Sequence, residues 1–226
     1  MRTSEAAFIG ARLRDIPIEH LSPVLNLGSS NAEFRRRTHP HVDREIFFPL
    51  EARGARVIHA DLKQDDGIDV VGDVYDPVFQ EQCRQLRPRT VLCCNILEHV
   101  QDARGFADIV SRLVPADGYL VVSVPHSYPF HADPIDTLFR PAPDEVVTMF
   151  GPTFAPVVAH TLVDTTWLQD LTRALGPRRL PGFFARDLAK AAREALSRQR
   201  LRRLHRYLWL VRRYQISIVI LRRRYA

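Results

Sequence analysis

The sequence predicts an α/β fold built on a doubly wound, largely parallel sheet. Two observations favour it: five short apolar segments are separated by helical patterns or turns, and most of these segments end in a polar residue. Ligands bind beyond the carboxyl ends of parallel strands, so the polar ends mark a candidate binding edge. The five segments are Val24–Ser30, Arg56–Asp61, Asp69–Asp73, Thr90–Asn95 and Gly118–Pro125.

The first half of the chain is expected to alternate strands with helices. Residues 1–23 are predicted to form a leader helix and linker, and Pro49 disfavours the middle of a short helix over 43–53. Between them lie strand one at 24–29 and a polar stretch that contains Arg35, Arg36 and Arg37. The later elements are strand two at 56–61, strand three at 69–73, a helix at 76–86, strand four at 90–95, a helix at 105–113 and strand five at 118–125.

The second half is predicted to add two strands and a basic helical region. A loop rich in His, Pro and Asp is followed by a helix over 143–150 and a sixth strand over 154–163. Residues 184–211 indicate one long basic helix or two shorter ones, and 215–221 is the last strand. That strand must return to the sheet, so 164–213 is predicted to be a basic helical insertion or cap within a single domain of residues 1–226.

The net charge of +6 is unevenly distributed. Residues 177–226 hold 15 lysines and arginines and two acids, whereas residues 1–176 hold 17 lysines and arginines and 24 acids. Arginines interleave with apolar side chains over 198–213, which is an amphipathic pattern. Three interpretations stay open: a solvated face, contact with an anionic membrane surface or polyanion, and nucleic-acid binding.

Composition favours a cytoplasmic globular protein. Hydrophobic residues make up 46% of the 226 residues, which is enough for a substantial core. No apolar run is long enough for a membrane span, and the N-terminus leads into no signal-peptide core. Cys93 and Cys94 are adjacent in a strand, so we expect reduced packing side chains rather than disulfides. Composition gives no indication of the oligomeric state.

Three segments resemble the class I S-adenosylmethionine-dependent methyltransferases. Asn95–Val100 is similar to the "LEHV" segment of small-molecule members, and Pro115–Gly118 is similar to their turn before strand five. Val124–Asp136 with Phe139–Pro141 resembles a subgroup associated with saccharide modification. The resemblance implies a Rossmann-like sheet of about seven strands with the last one antiparallel. The chain departs from the family at Gly28-Ser29-Ser30-Asn31, where one glycine stands in place of a glycine-rich loop.

The resemblance implies S-adenosylmethionine as cofactor and places it at the strand ends. Asp61 would accept from the ribose hydroxyls and Asp73 from the adenine amino group, but the same acids also suit a solvated turn and a helix cap. An NAD site is disfavoured, because the G-x-G-x-x-G pattern and its spaced acid are missing. The full expected cofactor set is Asn26, Gly28, Ser29, Asp61, Asp73, Val74 and Asn95.

The candidate acceptor residues follow strands four and five. A hydroxyl acceptor needs a proton acceptor, and His131, then His126, then His99 are the candidates because histidine titrates near neutral pH. Alternatively, a divalent metal would be bound by His126, His131, Asp133 and Asp136, or the two acids would cap turns and pair with an arginine. The predicted function is O-methylation of a sugar, polysaccharide precursor or related small molecule. The alternatives are an RNA methyltransferase and a non-catalytic scaffold.

Overall fold

The computed structural model describes residues 1–131, 135–193 and 205–225. Its centre is a seven-stranded sheet in the order β3-β2-β1-β4-β5-β7-β6. β1 to β5 are parallel, and β7 is antiparallel to both β5 and β6. This confirms the predicted fold class. The strands are β1 (Val24–Leu27), β2 (Val57–Asp61), β3 (Val70–Val71), β4 (Thr90–Cys94), β5 (Tyr119–Ser127), β6 (Phe154–Thr166) and β7 (Arg213–Arg223).

The chain reverses direction across the sheet between β3 and β4. β1 to β3 proceed towards one edge, and β4 then returns to pair with the free side of β1, with Val24 opposite both Val57 and Thr90. A crevice opens where the order reverses, outside the carboxyl ends of β1 and β4. The predicted polar residues therefore meet at one place although they are far apart in the sequence.

Successive side chains along each strand point to opposite faces of the sheet, so a hydrophobic core forms on each face. Leu25 and Val91 are buried in one cluster, whereas Val24 and Leu92 are buried in the other. The helices that cover these faces or extend beyond them are α1 (Thr3–Arg14), α2 (Ile18–Leu21), α3 (Pro40–Val42), α4 (Phe48–Ala52), α5 (Pro77–Gln85), α6 (Ala103–Leu113), α7 (Pro143–Phe150), α8 (Trp167–Leu175) and α9 (Leu180–Arg193). Among the described residues no helix is long and apolar enough to cross a membrane. The three cysteines are free thiols.

Pro49 does not interrupt the helical segment between β1 and β2, although the sequence led us to expect that it would disfavour a helix there. Two turns of π-helix, Phe34–Thr38 and Asp43–Phe47, flank α3, and the second leads directly into α4. Pro49 lies in the first turn of α4, where a missing N–H costs little. A helical path over 43–52 is therefore compatible with Pro49.

α1 packs unusually close to this segment. A Cβ atom placed on Gly10 would lie 1.9 Å from the backbone oxygen of Glu45, so only glycine allows this approach. The contact fixes the helix over the sheet and brings its first turn to the crevice. The leader predicted from the sequence is thus part of the wall of the site.

The described residues test only the two ends of the basic region predicted as one long helix or two shorter ones over 184–211, because 194–204 lie outside them. α8 and α9 precede β7, and Tyr207–Leu210 forms a 3₁₀ turn. Trp167, Trp209 and Tyr214 form a separate apolar cluster there. Arg198, Arg200, Arg202 and Arg203, on which the predicted amphipathic face depends, lie outside the described residues.

Candidate cofactor and acceptor site

Two adjoining cavities open at the carboxyl ends of the parallel strands. The larger has a volume of about 660 Å³ and the smaller about 550 Å³, the size range of small-molecule sites. Both are lined by Gly28, Asp61 and Ile96, so they meet at the ends of β1, β2 and β4. One ligand can therefore extend across both cavities.

The turn after β1 brings the backbone close to both cavities. Gly28 has φ +59° and Ser30 has φ 54°, a region that glycine adopts more readily than serine. A Cβ atom on Gly28 would lie 3.0 Å from Ile96 Cδ1, so the position is also tight. The expected residues Gly28 and Ser29 both line the larger cavity.

Arg35 holds this turn in place, and sequence reasoning missed it. The side chain is buried, and its guanidinium donates to the carbonyl oxygens of Ser29 (3.2 Å), Ser30 and Gly67 (2.7 Å). Burial lowers the pKa of Arg35, but arginine stays protonated at neutral pH. Ionic hydrogen bonds to the carbonyls therefore fix a turn that contains a single glycine.

Asp61 combines a structural contact with exposure to both cavities. One carboxylate oxygen accepts a hydrogen bond from the Ser30 N–H at 2.8 Å, and the other accepts from the Lys63 N–H at 3.3 Å. A carboxylate offers about four lone-pair positions, so acceptor capacity is left for a ligand. Asp61 thus ties the β1 turn to the end of β2 and faces the site.

The smaller cavity is mainly apolar, and Asp73 is part of its wall. Asp73 and Val74 line it together with Phe79 and Phe106. The Asp73 carboxylate accepts from the Tyr75 N–H at 2.9 Å, which closes a turn after β3. A mainly apolar cavity with Asp73 in its wall suits an aromatic base carrying an amino group.

The two expected asparagines line the larger cavity but already have partners. Asn95, with φ 55°, donates through its amide to Glu5 Oε1 at 2.8 Å. The Asn26 amide nitrogen lies 3.2 Å from His59 Nδ1, an arrangement that suits neutral His59. Burial lowers the pKa of His59 to about 4, which keeps it neutral. The carbonyl oxygens of both amides are left for a ligand.

Glu5 is a second site residue that sequence reasoning missed. It lies in the first turn of α1, is only 1% exposed and lines the larger cavity. Besides Asn95, it accepts from the Arg2 N–H at 3.0 Å. Nothing in the local sequence distinguishes it from a solvated helix acid, because its burial depends on the close packing of α1.

The acceptor candidates separate into two groups. His99 and His131 line the larger cavity, with ring centroids 5.3 Å apart, and burial lowers the pKa of His131. His126 instead faces backbone carbonyls, with Nδ1 3.3 Å from Arg140 O. Within the described residues, His126 lines neither cavity.

The metal set predicted from the sequence is only partly assembled. Asp136 is paired with Arg140 at 2.6 Å and accepts from the His131 backbone N–H at 3.0 Å, which is the turn-capping alternative. Asp133 lies outside the described residues. Among the described residues, the histidines and acids whose ligand atoms come together are Glu98, His99 and His131, without His126 or Asp136. Burial raises the pKa of Glu98 to about 7.

Comparison with solved structures identifies the architecture. Coclaurine N-methyltransferase, bound to N-methylheliamine and S-adenosylhomocysteine, is 13% identical with a TM-score of 0.51, and the match covers 98% of this chain and 72% of that one. A SAM-dependent methyltransferase from Archaeoglobus fulgidus is 15% identical with a TM-score of 0.50, covering 96% and 94%. This chain has the class I methyltransferase fold. At these identities the likeness concerns the fold. No protein-family profile matches the sequence, and neither does any curated protein.

Proposed function

We propose that this protein is an S-adenosylmethionine-dependent methyltransferase that transfers the methyl group to a hydroxyl of a sugar, a polysaccharide precursor or a related small molecule. The observation that carries the proposal is the pair of adjoining cavities, with Asp61 where they meet. The nucleoside would occupy the smaller cavity, with its ribose at Asp61 and its base beside Asp73. The methionine portion would follow the β1 turn towards Asn95.

The larger cavity supports a hydroxyl acceptor. Beyond the β1 turn it is lined by Glu98, His99, Tyr128 and His131, which can receive or relay a proton. Methyl transfer is a direct displacement, so the protein mainly aligns the acceptor oxygen, the methyl carbon and the sulfur. A neutral amine brings its own lone pair, whereas a hydroxyl must lose a proton. The concentration of proton-accepting groups here favours the hydroxyl.

Calorimetry with S-adenosylhomocysteine tests the cofactor half of the proposal. Asp61→Ala should weaken binding by about 1–3 kcal/mol, the scale of hydrogen bonds to a charged group. Asp61→Asn retains an oxygen for the Ser30 N–H but loses the charge, so it should also bind more weakly than the wild type. Asp108→Asn, on the exposed face of α6, is the matched control and should bind normally.

The two Asp61 variants distinguish ligand binding from loop support. If Asp61 acted only through Ser30, Asp61→Asn would bind the cofactor as well as the wild type does. If folded wild-type protein bound neither S-adenosylmethionine nor S-adenosylhomocysteine, the methyltransferase proposal itself would fail. A screen of hydroxylated acceptors with labelled cofactor then tests the acceptor class.

A further inference from the structure

Three potential metal ligands meet in the wall of the larger cavity. Glu98, His99 and His131 each offer one ligand atom, and these atoms lie within 4.8 Å of one another. Glu98 Oε1 and His99 Nε2 are 3.8 Å apart. Two of the residues follow β4 and the third follows β5, so the fold itself brings them together.

The Glu98 carboxylate is buried without a hydrogen bond from another described residue. Its side chain is 1% exposed, and neither carboxylate oxygen has a hydrogen-bond partner among the described residues. A buried carboxylate in this position costs several kcal/mol unless a proton or a cation neutralises it. Because Glu98 lines the larger cavity, a cation bound there would be in reach of a substrate.

His99 is oriented as a metal ligand. Its Nδ1 is hydrogen-bonded to the backbone oxygen of Ile135, and a carbonyl only accepts, so Nδ1 carries the proton. The lone pair is therefore on Nε2, the atom that faces Glu98. Metal-binding histidines commonly donate their second N–H to a carbonyl in this way.

The loop after β5 is tied to the same turn. Thr137 donates twice to the backbone oxygen of Glu98, from its N–H at 2.9 Å and its hydroxyl at 3.1 Å. Asp136, held by Arg140, accepts from the His131 backbone N–H. These contacts hold His131 next to the two residues that follow β4.

We propose that Glu98, His99 and His131 bind a divalent transition-metal ion, and that its open coordination positions take the acceptor hydroxyl. Two imidazoles and one carboxylate suit Mn²⁺, Fe²⁺, Co²⁺ or Zn²⁺ better than Mg²⁺, which prefers oxygen ligands. Ligands about 2.1 Å from an ion lie about 3.0–3.4 Å apart. The three atoms here are up to 4.8 Å apart, so the side chains need to close by up to roughly 1.8 Å. Three protein ligands leave room for substrate oxygen.

The second half of the inference rests on the proposed methyltransferase function. A metal lowers the pKa of a bound hydroxyl, which then releases its proton to solvent water. The acceptor oxygen attacks the sulfonium methyl carbon, so the C–O bond forms while the C–S bond breaks. The bonding electrons stay on sulfur, and neutral S-adenosylhomocysteine leaves. With the metal bound, His131 is a ligand, and the lowered pKa of the bound hydroxyl replaces the general base that the metal-free site would offer.

The test measures metal and cofactor binding separately on full-length protein that has been stripped with a chelator. Titration with Co²⁺ should give visible absorption bands, and titration with Mn²⁺ should remove the free-ion EPR signal. Glu98→Gln and His131→Gln should each weaken binding of both ions about tenfold or more. His160→Gln removes an exposed histidine on β6 and should bind both ions normally.

Calorimetry with S-adenosylhomocysteine on the same samples shows whether each variant is folded. It also tests the methyltransferase proposal independently of the metal site. The metal inference is overturned if the wild type binds neither ion, if it binds only Mg²⁺, or if all variants bind Co²⁺ equally. Cofactor binding by metal-free protein would leave the methyltransferase proposal standing in each of those cases. If Glu98→Gln does not fold, His99→Gln and His131→Gln still decide the result.

Discussion

Replacing Arg35 tests whether an ionic contact substitutes for the missing glycines of the β1 turn. Arg35→Met keeps a long apolar stem but removes every donor to Ser29, Ser30 and Gly67. The variant should fold with the turn released. Arg36→Met is the matched control, because that arginine side chain is 62% exposed and its contact with Asp43 is long, at 3.8 Å.

The size of the effect follows from the three carbonyl contacts. Each hydrogen bond from a charged donor contributes about 1.5–3 kcal/mol. Two effects offset part of this loss in the variant: water hydrates some of the freed carbonyl oxygens, and the free-energy cost of burying a guanidinium is removed. We therefore expect a loss of about 3–5 kcal/mol in the free energy of unfolding. In a chain of this length that corresponds to about 10 °C in melting temperature.

Urea unfolding and calorimetry with S-adenosylhomocysteine measure the two consequences together. Arg35→Met should lower the unfolding midpoint and weaken cofactor binding about tenfold or more. The released turn would adopt several conformations, and binding would have to order it again. Arg36→Met should change stability by about 0.5 kcal/mol or less. If Arg35→Met left both the midpoint and the affinity at wild-type values, the reasoning would be refuted.

Two further predictions concern pH and the basic segment. The folded protein resists protonation of His59 down to about pH 4, whereas the unfolded chain takes up the proton near 6.5. The contribution of neutral His59 to the free energy of unfolding should therefore be fully present above pH 6.5 and fall by about 3 kcal/mol as the pH is lowered to 4. In a pH series of urea melts, His59→Gln should flatten the decline over this range. An unchanged slope in the variant would contradict the prediction. Replacing Arg200, Arg202 and Arg203 with Gln should reduce sedimentation with anionic vesicles at low salt and leave S-adenosylhomocysteine affinity unchanged; equal sedimentation of wild type and variant would indicate a solvated face.

The strands could be predicted because each buried parallel strand is a short apolar run. The polar residues at their ends were also predictable, since topology alone brings them to one edge. Strand ends shifted by a few residues, and β5 and β6 run further than expected, to Ser127 and Thr166. The sequence predicts that β5 ends at Pro125, but the pairing with β7 continues through a register irregularity between Pro125 and Ser127.

The parts of the site that sequence reasoning missed depend on long-range packing. Arg35 is one of three consecutive arginines, and only the path of the π-helical turn selects it for burial. Glu98 belongs to the segment Asn95–Val100, and nothing in that segment indicates that both of its carboxylate oxygens are buried. Glu5 reaches the cavity because Gly10 lets α1 approach Glu45. These contacts join residues that are far apart in the chain, so no local sequence pattern predicts them.

The position of α1 has a practical consequence for handling the protein. Met1 and Arg2 line the larger cavity, and the Arg2 side chain is bound to Asp164 in β6 and Asp170 in α8. Residues added before Met1 would therefore begin in the wall of the larger cavity, and they would compete for space with any ligand bound there. Assays of acceptor specificity should use protein from which any N-terminal tag has been removed without leaving extra residues.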